Sequence, residues 1–122
     1  MNTKTQNKQK KDTVFGKIIR GELPCEKVYE DERILVIKDI HPVAPVHLLL
    51  MPKKAISCLQ EVSEKDLPLI MEIVKIAQKL AKEHNIEDGY RLVTNCGRGA
   101  SQTVAHLHFH LIGGKNLTHG LG

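Results

Sequence analysis

Alternating histidines near the carboxyl end constrain the fold of this chain more than any other feature. In the segment VAHLHFHLIGG, His106, His108 and His110 alternate with apolar residues. A period of two is typical of a β-strand, whereas on a helix, at about 100° per residue, His108 would lie about 160° from its neighbours. We therefore predict a strand over residues 105–112, with three imidazoles on one face and their apolar partners toward the core.

Three imidazoles on one face of a strand favour a functional site. A single histidine in a strand is usually a hydrogen-bonded structural residue. Three imidazolium ions in a row would repel one another, so at least some of the rings must be neutral near pH 7. Their nitrogens also need a solvated or ligand-filled groove. Function is therefore a better explanation than structure for this spacing.

The first half of the chain predicts a short helix and three strands. Phe15, Ile18 and Ile19 have helical spacing behind Asp12, a candidate cap, and Gly21 stands where such a helix would stop. Apolar and β-branched runs then predict strands over residues 26–30, 33–40 and 47–51, the first two forming a hairpin.

A long amphipathic helix is predicted over residues 63–84. Its apolar residues recur at three- and four-residue spacing and form one wide stripe. Two starts fit the sequence: a capping box of Ser63 and Asp66, or a first turn that begins at Asp66 because Pro68 follows so closely. Asn85 then closes the helix.

The predicted elements together indicate one α+β domain over residues 12–122. A further strand over residues 90–94 brings the number of strands to five. The order of elements favours a mostly antiparallel five-stranded sheet with one short and one long helix, both on one side of the sheet. The chain is long enough to bury one core but not two.

Charge sets the first eleven residues apart. The formal net charge is +4, but residues 1–11 hold four lysines and no acid, and the remainder has 14 basic and 14 acidic side chains. Residues 1–11 are polar and rich in lysine, and they lack the apolar run of a signal peptide or membrane span. We therefore interpret them as a disordered arm. Since the neutral remainder contains few aromatic residues, neither nucleic acid nor a membrane is an expected partner.

The cysteines indicate a reducing environment. Cys25, Cys58 and Cys96 are odd in number and far apart, which fits neither a disulfide framework nor a zinc knuckle. We expect free thiols and a cytoplasmic location.

A loop of small residues, NCGRGASQT, lies directly before the histidines. Gly97, Gly99 and Ala100 leave room for backbone amides to approach an anion, although the loop matches neither the Walker pattern nor GxGxxG. Alone, the loop predicts an ordinary turn. Beside three imidazoles, it favours a phosphate site.

The HxHxH segment followed by small residues resembles the histidine-triad (HIT) superfamily. The segments DTVFGKIIRGELP, VIKDI, PVHLLLMPKK and DGYRLVTN resemble its nucleotide-binding, purine nucleoside phosphoramidase (Hint-like) branch, and the likeness covers nearly all of residues 12–114. The resemblance implies a HIT-like fold whose sheet extends across a homodimer, with no cofactor or metal. It also implies hydrolysis of purine nucleoside 5'-phosphoramidates such as adenosine 5'-phosphoramidate or AMP-lysine.

The resemblance implies roles for individual residues. His108 matches the nucleophile, which would form a nucleotidyl-histidine intermediate. His106, His110 and His47 match the histidines that hold phosphoryl oxygens, fix the tautomer of the nucleophile and relay protons. Asp39 matches the carboxylate that binds the ribose hydroxyls. The other matches are polar loop positions beside the phosphate and leaving group, Asn95, Ser101, Gln102 and Thr103, and an apolar slot for the base, Phe15, Ile18, Ile37 and Ile40.

Some features depart from the resemblance. Ser101 stands where the pattern generally has glycine, which alters the approach of the loop amides to phosphate, and Ala105 replaces a larger, usually aromatic residue. The chain ends with KNLTHGLG, and in the family this end helps to shape substrate choice across the dimer. No paired cysteines lie near the first helix, so the zinc site of some relatives is missing.

Three other functions stay open at the level of sequence. Because His-x-His on a strand is also a chelating pair, the cluster fits a metal-dependent hydrolase, although residues 94–122 contain no Asp or Glu. A non-catalytic nucleotide-binding protein would keep the same pocket. A dinucleoside polyphosphate hydrolase would use the same histidines, but residues 12–24 and the DGYRLVTN strand are more similar to the phosphoramidase branch.

Overall fold

The computed structural model describes residues 12–121, which form two α-helices and five strands. The predicted arm, residues 1–11, lies outside the described residues. Neither of the described helices combines the length and apolar character that a membrane span requires. The elements are α1 (Val14–Ile19), β1 (Lys27–Glu30), β2 (Ile34–Lys38), β3 (Val46–Pro52), α2 (Leu67–Glu83), β4 (Tyr90–Val93) and β5 (Phe109–Gly113).

The strands form one sheet in the order β1-β2-β3-β5-β4, and every neighbouring pair is antiparallel. The predicted α+β class and five-stranded antiparallel sheet are therefore confirmed. So is the hairpin of β1 and β2, in whose turn the Asp31 carboxylate accepts from the N–H groups of Arg33 and Ile34 at 2.8 Å each. Because β3 and β5 are neighbours, side chains from these two distant segments meet.

The two helices cover opposite faces of the sheet, so the expectation that both lie on one side is wrong. On one face, Val36 belongs to the same core cluster as Ile73 of α2. On the other face, Leu35 belongs to a second cluster with Phe15 of α1. Strands β2 and β3 are apolar and buried at nearly every position, and a strand with two apolar faces must be covered on both.

The cap of α1 differs from the predicted one. Thr13 Oγ1 accepts from the N–H of Gly16 at 2.9 Å and so satisfies one of the free amides of the first turn. Asp12 instead pairs with Arg20, with 3.0 Å between Oδ1 and Nη2. Gly21 adopts φ +80°, a conformation that ends the helix as predicted.

The later of the two predicted starts of the long helix is confirmed. Asp66 occupies the N-cap position of α2 and Pro68 lies in its first turn, where the missing N–H is no loss. Ser63 makes no side-chain capping bond and precedes a separate 3₁₀ turn over Glu64–Asp66. Asn85 adopts φ +60° directly after the helix and closes it as expected.

Candidate active site

The final strand is shorter than predicted. Strand β5 begins at Phe109, not at residue 105, and Phe109 forms the last ladder pair with β3. Beyond this pair, β3 reaches Pro52, which has no N–H to donate and whose carbonyl accepts from His106 Nε2 at 2.8 Å. His106 and His108 therefore lie just before the ladder and not within it.

Three imidazoles nonetheless come together where β3 meets β5. His47 Nε2 and His110 Nδ1 are 2.9 Å apart, and the centroid of the His108 ring lies 5.2 Å from that of His110. We call His47, His108 and His110 the imidazole row. The fourth ring, of His106, is 2% exposed and bonds to the Pro52 carbonyl, while the His106 carbonyl accepts from His108 Nδ1 at 2.7 Å.

Backbone groups determine which nitrogen of His47 and of His108 carries the proton, and His47 in turn determines it for His110. The Val43 N–H can only donate, and it bonds to His47 Nδ1 at 3.1 Å, so a neutral His47 is protonated at Nε2. His47 then donates to His110 Nδ1, which leaves the His110 proton on Nε2. His108 donates from Nδ1 to a carbonyl and keeps its lone pair on Nε2. The row thus offers one nucleophilic nitrogen, on His108, and one N–H donor, on His110.

Burial keeps these rings neutral. It lowers the pKa of His47, His106 and His108 below the ordinary value, because an imidazolium ion loses hydration there. Burial also lowers the pKa of His110 to about 4, with smaller contributions from His108 and His47. The expectation that some of the histidines must be neutral near pH 7 is confirmed, and the neutral ring is the form that can attack phosphorus.

Two contacts that the sequence did not reveal orient the row. Thr94 Oγ1 donates to the carbonyl of His108 at 2.7 Å, and the Val43 N–H sets the tautomer of His47. A hydroxyl bound to a main-chain carbonyl, and an amide of an apolar residue, leave no signature in residue types. Phe15, predicted for the base slot, packs edge-on against the His108 ring with 4.8 Å between centroids.

The small-residue loop before the histidines uses several of its amides internally. The N–H groups of Ala100, Ser101 and Gln102 donate to the carbonyl of Gly97 or Arg98 at 3.0 to 3.1 Å. The Gly97 N–H donates to Gln102 Oε1 at 2.8 Å. These four amides are not free to hold a phosphate, so an anion site must rely on other groups, first among them the imidazoles.

The predicted polar positions differ in their surroundings. Asn95 is half-buried, whereas Ser101 and Thr103 are exposed. Gln102 accepts one backbone bond through Oε1 and donates two through Nε2, so its amide already serves the loop. Within the loop, Thr103 is therefore a better candidate than Gln102 for contact with a ligand.

The four residues predicted for the base slot do not share one environment. Ile37, 3% exposed, belongs to the core cluster between α1 and the sheet, and Phe15 belongs to the same cluster. Ile18 is half-buried at the edge of that cluster, and Ile40 is 84% exposed. Ile18 and Ile40 are accessible to a ligand, whereas Ile37 shapes the site from within the core.

Asp39, directly after β2, brings a carboxylate to the row. Its Oδ2 lies 3.3 Å from His47 Nε2, and its Oδ1 accepts from the His41 N–H at 2.8 Å. Each carboxylate oxygen has two lone pairs, so acceptor capacity remains for the hydroxyls of a ligand. The predicted ribose contact is therefore compatible with the bonds that Asp39 already makes.

Asp39, His47 and His110 also have the composition of a metal site, and their potential ligand atoms lie within 4.8 Å of one another. However, the Val43 N–H leaves the His47 proton on Nε2, and a protonated nitrogen has no lone pair for a metal. The 2.9 Å between the two imidazole nitrogens is a hydrogen-bond distance. Two nitrogens bound to zinc in a tetrahedral site would lie about 3.3 Å apart. The geometry favours a hydrogen-bonded row over a metal centre.

Known proteins share both the sequence and the fold. Residues 12–122 match the family described as "Scavenger mRNA decapping enzyme C-term binding". An uncharacterized HIT-like protein of Chlamydia muridarum is 51% identical over 102 residues, which cover 84% of this chain and 81% of the relative. The chain belongs to the HIT-like family.

Solved HIT-like structures superpose on this chain. A HIT family hydrolase from Legionella pneumophila Philadelphia 1 has a TM-score of 0.88 at 43% identity, and the match covers 91% of this chain and 100% of the other. A histidine triad nucleotide-binding protein from Candida albicans has a TM-score of 0.77 at 34% identity, with 91% and 83% covered. The HIT-like fold implied by the sequence is confirmed.

Proposed function

We propose that this HIT-like protein hydrolyses purine nucleoside 5'-phosphoramidates, with His108 as the nucleophile. The observation that carries the proposal is the orientation of one ring: His108 Nδ1 donates to the His106 carbonyl, so Nε2 keeps its lone pair for attack. Phe15 and Thr94 restrain the same residue. Similarity to a HIT family hydrolase and to a histidine triad nucleotide-binding protein supports the general class.

The proposed reaction consists of two displacements. Nε2 of the neutral His108 attacks the α-phosphorus, the Nε2–P bond forms, the P–N bond breaks, and the leaving amine takes up a proton from solvent water. The His106 carbonyl then accepts a stronger hydrogen bond from Nδ1, because the phosphorylated ring is cationic. Water then attacks the phosphorus and releases a proton to solvent, the Nε2–P bond breaks, and the nucleoside monophosphate leaves a neutral ring behind.

The surrounding residues would bind the rest of the substrate. The Nε2–H of His110, whose tautomer His47 sets, would donate to a phosphoryl oxygen and stabilise negative charge there. Asp39 would accept from the ribose hydroxyls. Ile18 and Ile40 would make apolar contact with the purine. Asn95 and Thr103 would make polar contacts with the phosphate and the leaving group.

Replacing the nucleophile tests the proposal. His108→Ala is expected to abolish release of AMP from adenosine 5'-phosphoramidate, a loss of several kcal/mol of transition-state stabilisation, while AMP binding stays within about tenfold. His84→Ala, at the C-terminal end of α2 and outside the residues assigned to the site, is the matched control and should keep full turnover. Turnover retained by His108→Ala would remove His108 from its assigned role.

Mass spectrometry of the intact protein and of its peptides after a rapid quench tests the intermediate, and comparison of substrates tests the substrate class. The wild-type protein should gain one nucleotidyl group on the peptide that contains His108, and His108→Ala should gain none. Faster AMP release from a dinucleoside polyphosphate would show that the polyphosphate, and not the phosphoramidate, is the preferred substrate. Tight AMP binding without any turnover would show that the protein binds nucleotides but is not an enzyme.

We also propose that the protein is a homodimer whose sheet continues from one chain to the next. Strands β1 and β4 form the two edges of the sheet, and an edge strand presents backbone groups that a second chain can pair with. All four residues of β4 are half-buried. Light scattering is expected to give twice the mass of one chain, and the mass of a single chain would contradict the proposal.

A further inference from the structure

Asp39 makes more contacts within the protein than a side chain that only binds ligand hydroxyls would require. Its N–H donates to the His47 carbonyl at 3.0 Å, and its Oδ1 accepts from the His41 N–H at 2.8 Å. The first bond restrains the main chain of Asp39, and the second restrains its carboxylate. Its Oδ2 lies 3.3 Å from His47 Nε2, and the side chain is only 17% exposed.

The charge of this carboxylate acts on all three rings of the imidazole row. Asp39 raises the pKa of His47, His108 and His110, against the larger lowering by burial. Within residues 12–121, the other titratable groups that act on these rings are the row histidines themselves, since His108 and His47 lower the pKa of His110. No acid occurs in residues 94–122, so the segment that carries His108 and His110 depends on Asp39 for a nearby negative charge.

We propose that Asp39 is a positioning residue of the imidazole row in addition to a contact for ribose. The negative charge of Oδ2, 3.3 Å from His47 Nε2, favours the tautomer of His47 that carries its proton on Nε2, so that His110 accepts through Nδ1 and directs its own N–H to the phosphate. The inference rests on the proposed phosphoramidate reaction. In that reaction one carboxylate both seats the nucleoside and orients the catalytic donors, so Asp39 contributes to kcat as well as to KM.

A substrate without ribose separates the two roles. Asp39→Asn keeps an acceptor for the His41 N–H, but its Nδ2–H would meet the His47 Nε2–H donor to donor. We expect kcat to fall at least about tenfold both on adenosine 5'-phosphoramidate and on the same phosphoramidate with a methyl group in place of the nucleoside. Asp88→Asn, at an exposed position, is the matched control and should leave both reactions unchanged. If Asp39→Asn raised only KM, and only for the nucleoside substrate, the positioning role would be overturned.

A titration without substrate gives an independent result. In NMR spectra of the imidazole rings, His47 and His110 are expected to titrate at lower pH in Asp39→Asn than in the wild type, because the carboxylate that favours their charged form is gone. Unchanged titration would overturn the inference even if activity fell. If Asp39→Asn does not fold, Asp39→Ser also removes the charge and keeps an acceptor for the His41 N–H. A wild-type protein that turns over neither substrate would refute the proposed reaction, whereas the titration would still decide the link between Asp39 and the row.

Discussion

Ser101 is one of two non-glycine residues within residues 12–121 that have a positive φ. At φ +63° and ψ +34° it ends the 3₁₀ turn Arg98–Ala100 in the left-handed conformation. An L-residue is disfavoured there because its Cβ crowds the following carbonyl, and glycine is free of this penalty. The resemblance to the HIT superfamily led us to expect glycine at this position, and the backbone shows why.

Ser101→Gly is expected to stabilise the protein by up to about 1 kcal/mol, because the strain of the left-handed conformation is relieved. Urea unfolding followed by circular dichroism measures the change. Ser63→Gly is the matched control, since Ser63 has φ −74° and glycine there adds flexibility and removes the hydroxyl that bonds to Asp66. The two variants should therefore shift the midpoint in opposite directions, and a shift to lower urea in both would contradict the strain at Ser101.

The residue types of the site were predictable, but their partners were not. Alternation singled out His106, His108 and His110, and the resemblance added His47 and Asp39. A main-chain amide sets the tautomer of His47 and a main-chain carbonyl that of His108, and nearly every residue has such groups; His47 in turn sets the tautomer of His110. The sequence therefore indicated which side chains carry the chemistry, and folding decided which nitrogen faces the substrate.

At the scale of elements, the Gln102 side chain connects the loop before β5 to its surroundings. Gln102 Oε1 accepts from the Gly97 N–H at 2.8 Å. Its Nε2 donates to the carbonyls of Ser57 and Val104 at 2.7 and 2.9 Å. The amide thus joins both ends of the loop to the segment that follows β3. Together with the bond from the Leu107 N–H to the Ile56 carbonyl at 2.7 Å, this arrangement sets the path of the chain into His106.

Gln102→Glu is expected to destabilise the protein by about 1–3 kcal/mol, since a carboxylate would face two carbonyl oxygens that it cannot satisfy. Hydrogen exchange of the amides of residues 97–104 should accelerate by more than that of α2. Gln78→Glu, on the exposed face of α2, is the matched control and should change neither the stability nor the hydrogen exchange of the loop. Unchanged exchange in the loop of Gln102→Glu would show that other contacts hold it.

The elements themselves were largely predictable, and the two larger errors, in the length of β5 and in the placement of the helices, share one cause. Strand β5 does not include residues 105–108, because β3 reaches Pro52 there. Whether a partner strand can pair is not visible in the sequence pattern of β5. The helices lie on opposite faces because β2 and β3 are apolar on both sides. Periodicity describes one segment, whereas pairing and coverage depend on two.

At the scale of the whole molecule, the buried histidines predict how stability depends on pH. The unfolded chain protonates its histidines near pH 6.5, whereas the pKa of each of His47, His106, His108 and His110 is lower in the folded state. Between about pH 7 and pH 4, the unfolded state therefore binds more protons than the folded state. Stability is expected to fall as pH falls through this window.

The free energy of unfolding is expected to drop by on the order of 1–2 kcal/mol from pH 7.5 to pH 5, measured by urea titration at both values. His110→Asn should lose less over the same interval, because the asparagine oxygen can accept from His47 without titrating. His119→Asn, at an exposed site, should lose as much as the wild type. Equal losses in all three proteins would show that the row does not control this dependence.

Residue order alone determined the α+β class, the position of the long helix, the hairpin and the histidines that carry the proposed chemistry, because these follow from local periodicity and from side-chain type. Tertiary structure decided that the two helices cover opposite faces and that the ladder ends at Phe109. It also decided that Asp39 and His47 reach His110, and that Val43 places the proton of His47 on Nε2. These outcomes depend on groups that are far apart in the chain and largely on main-chain atoms, and only the packed fold brings such groups within hydrogen-bond distance.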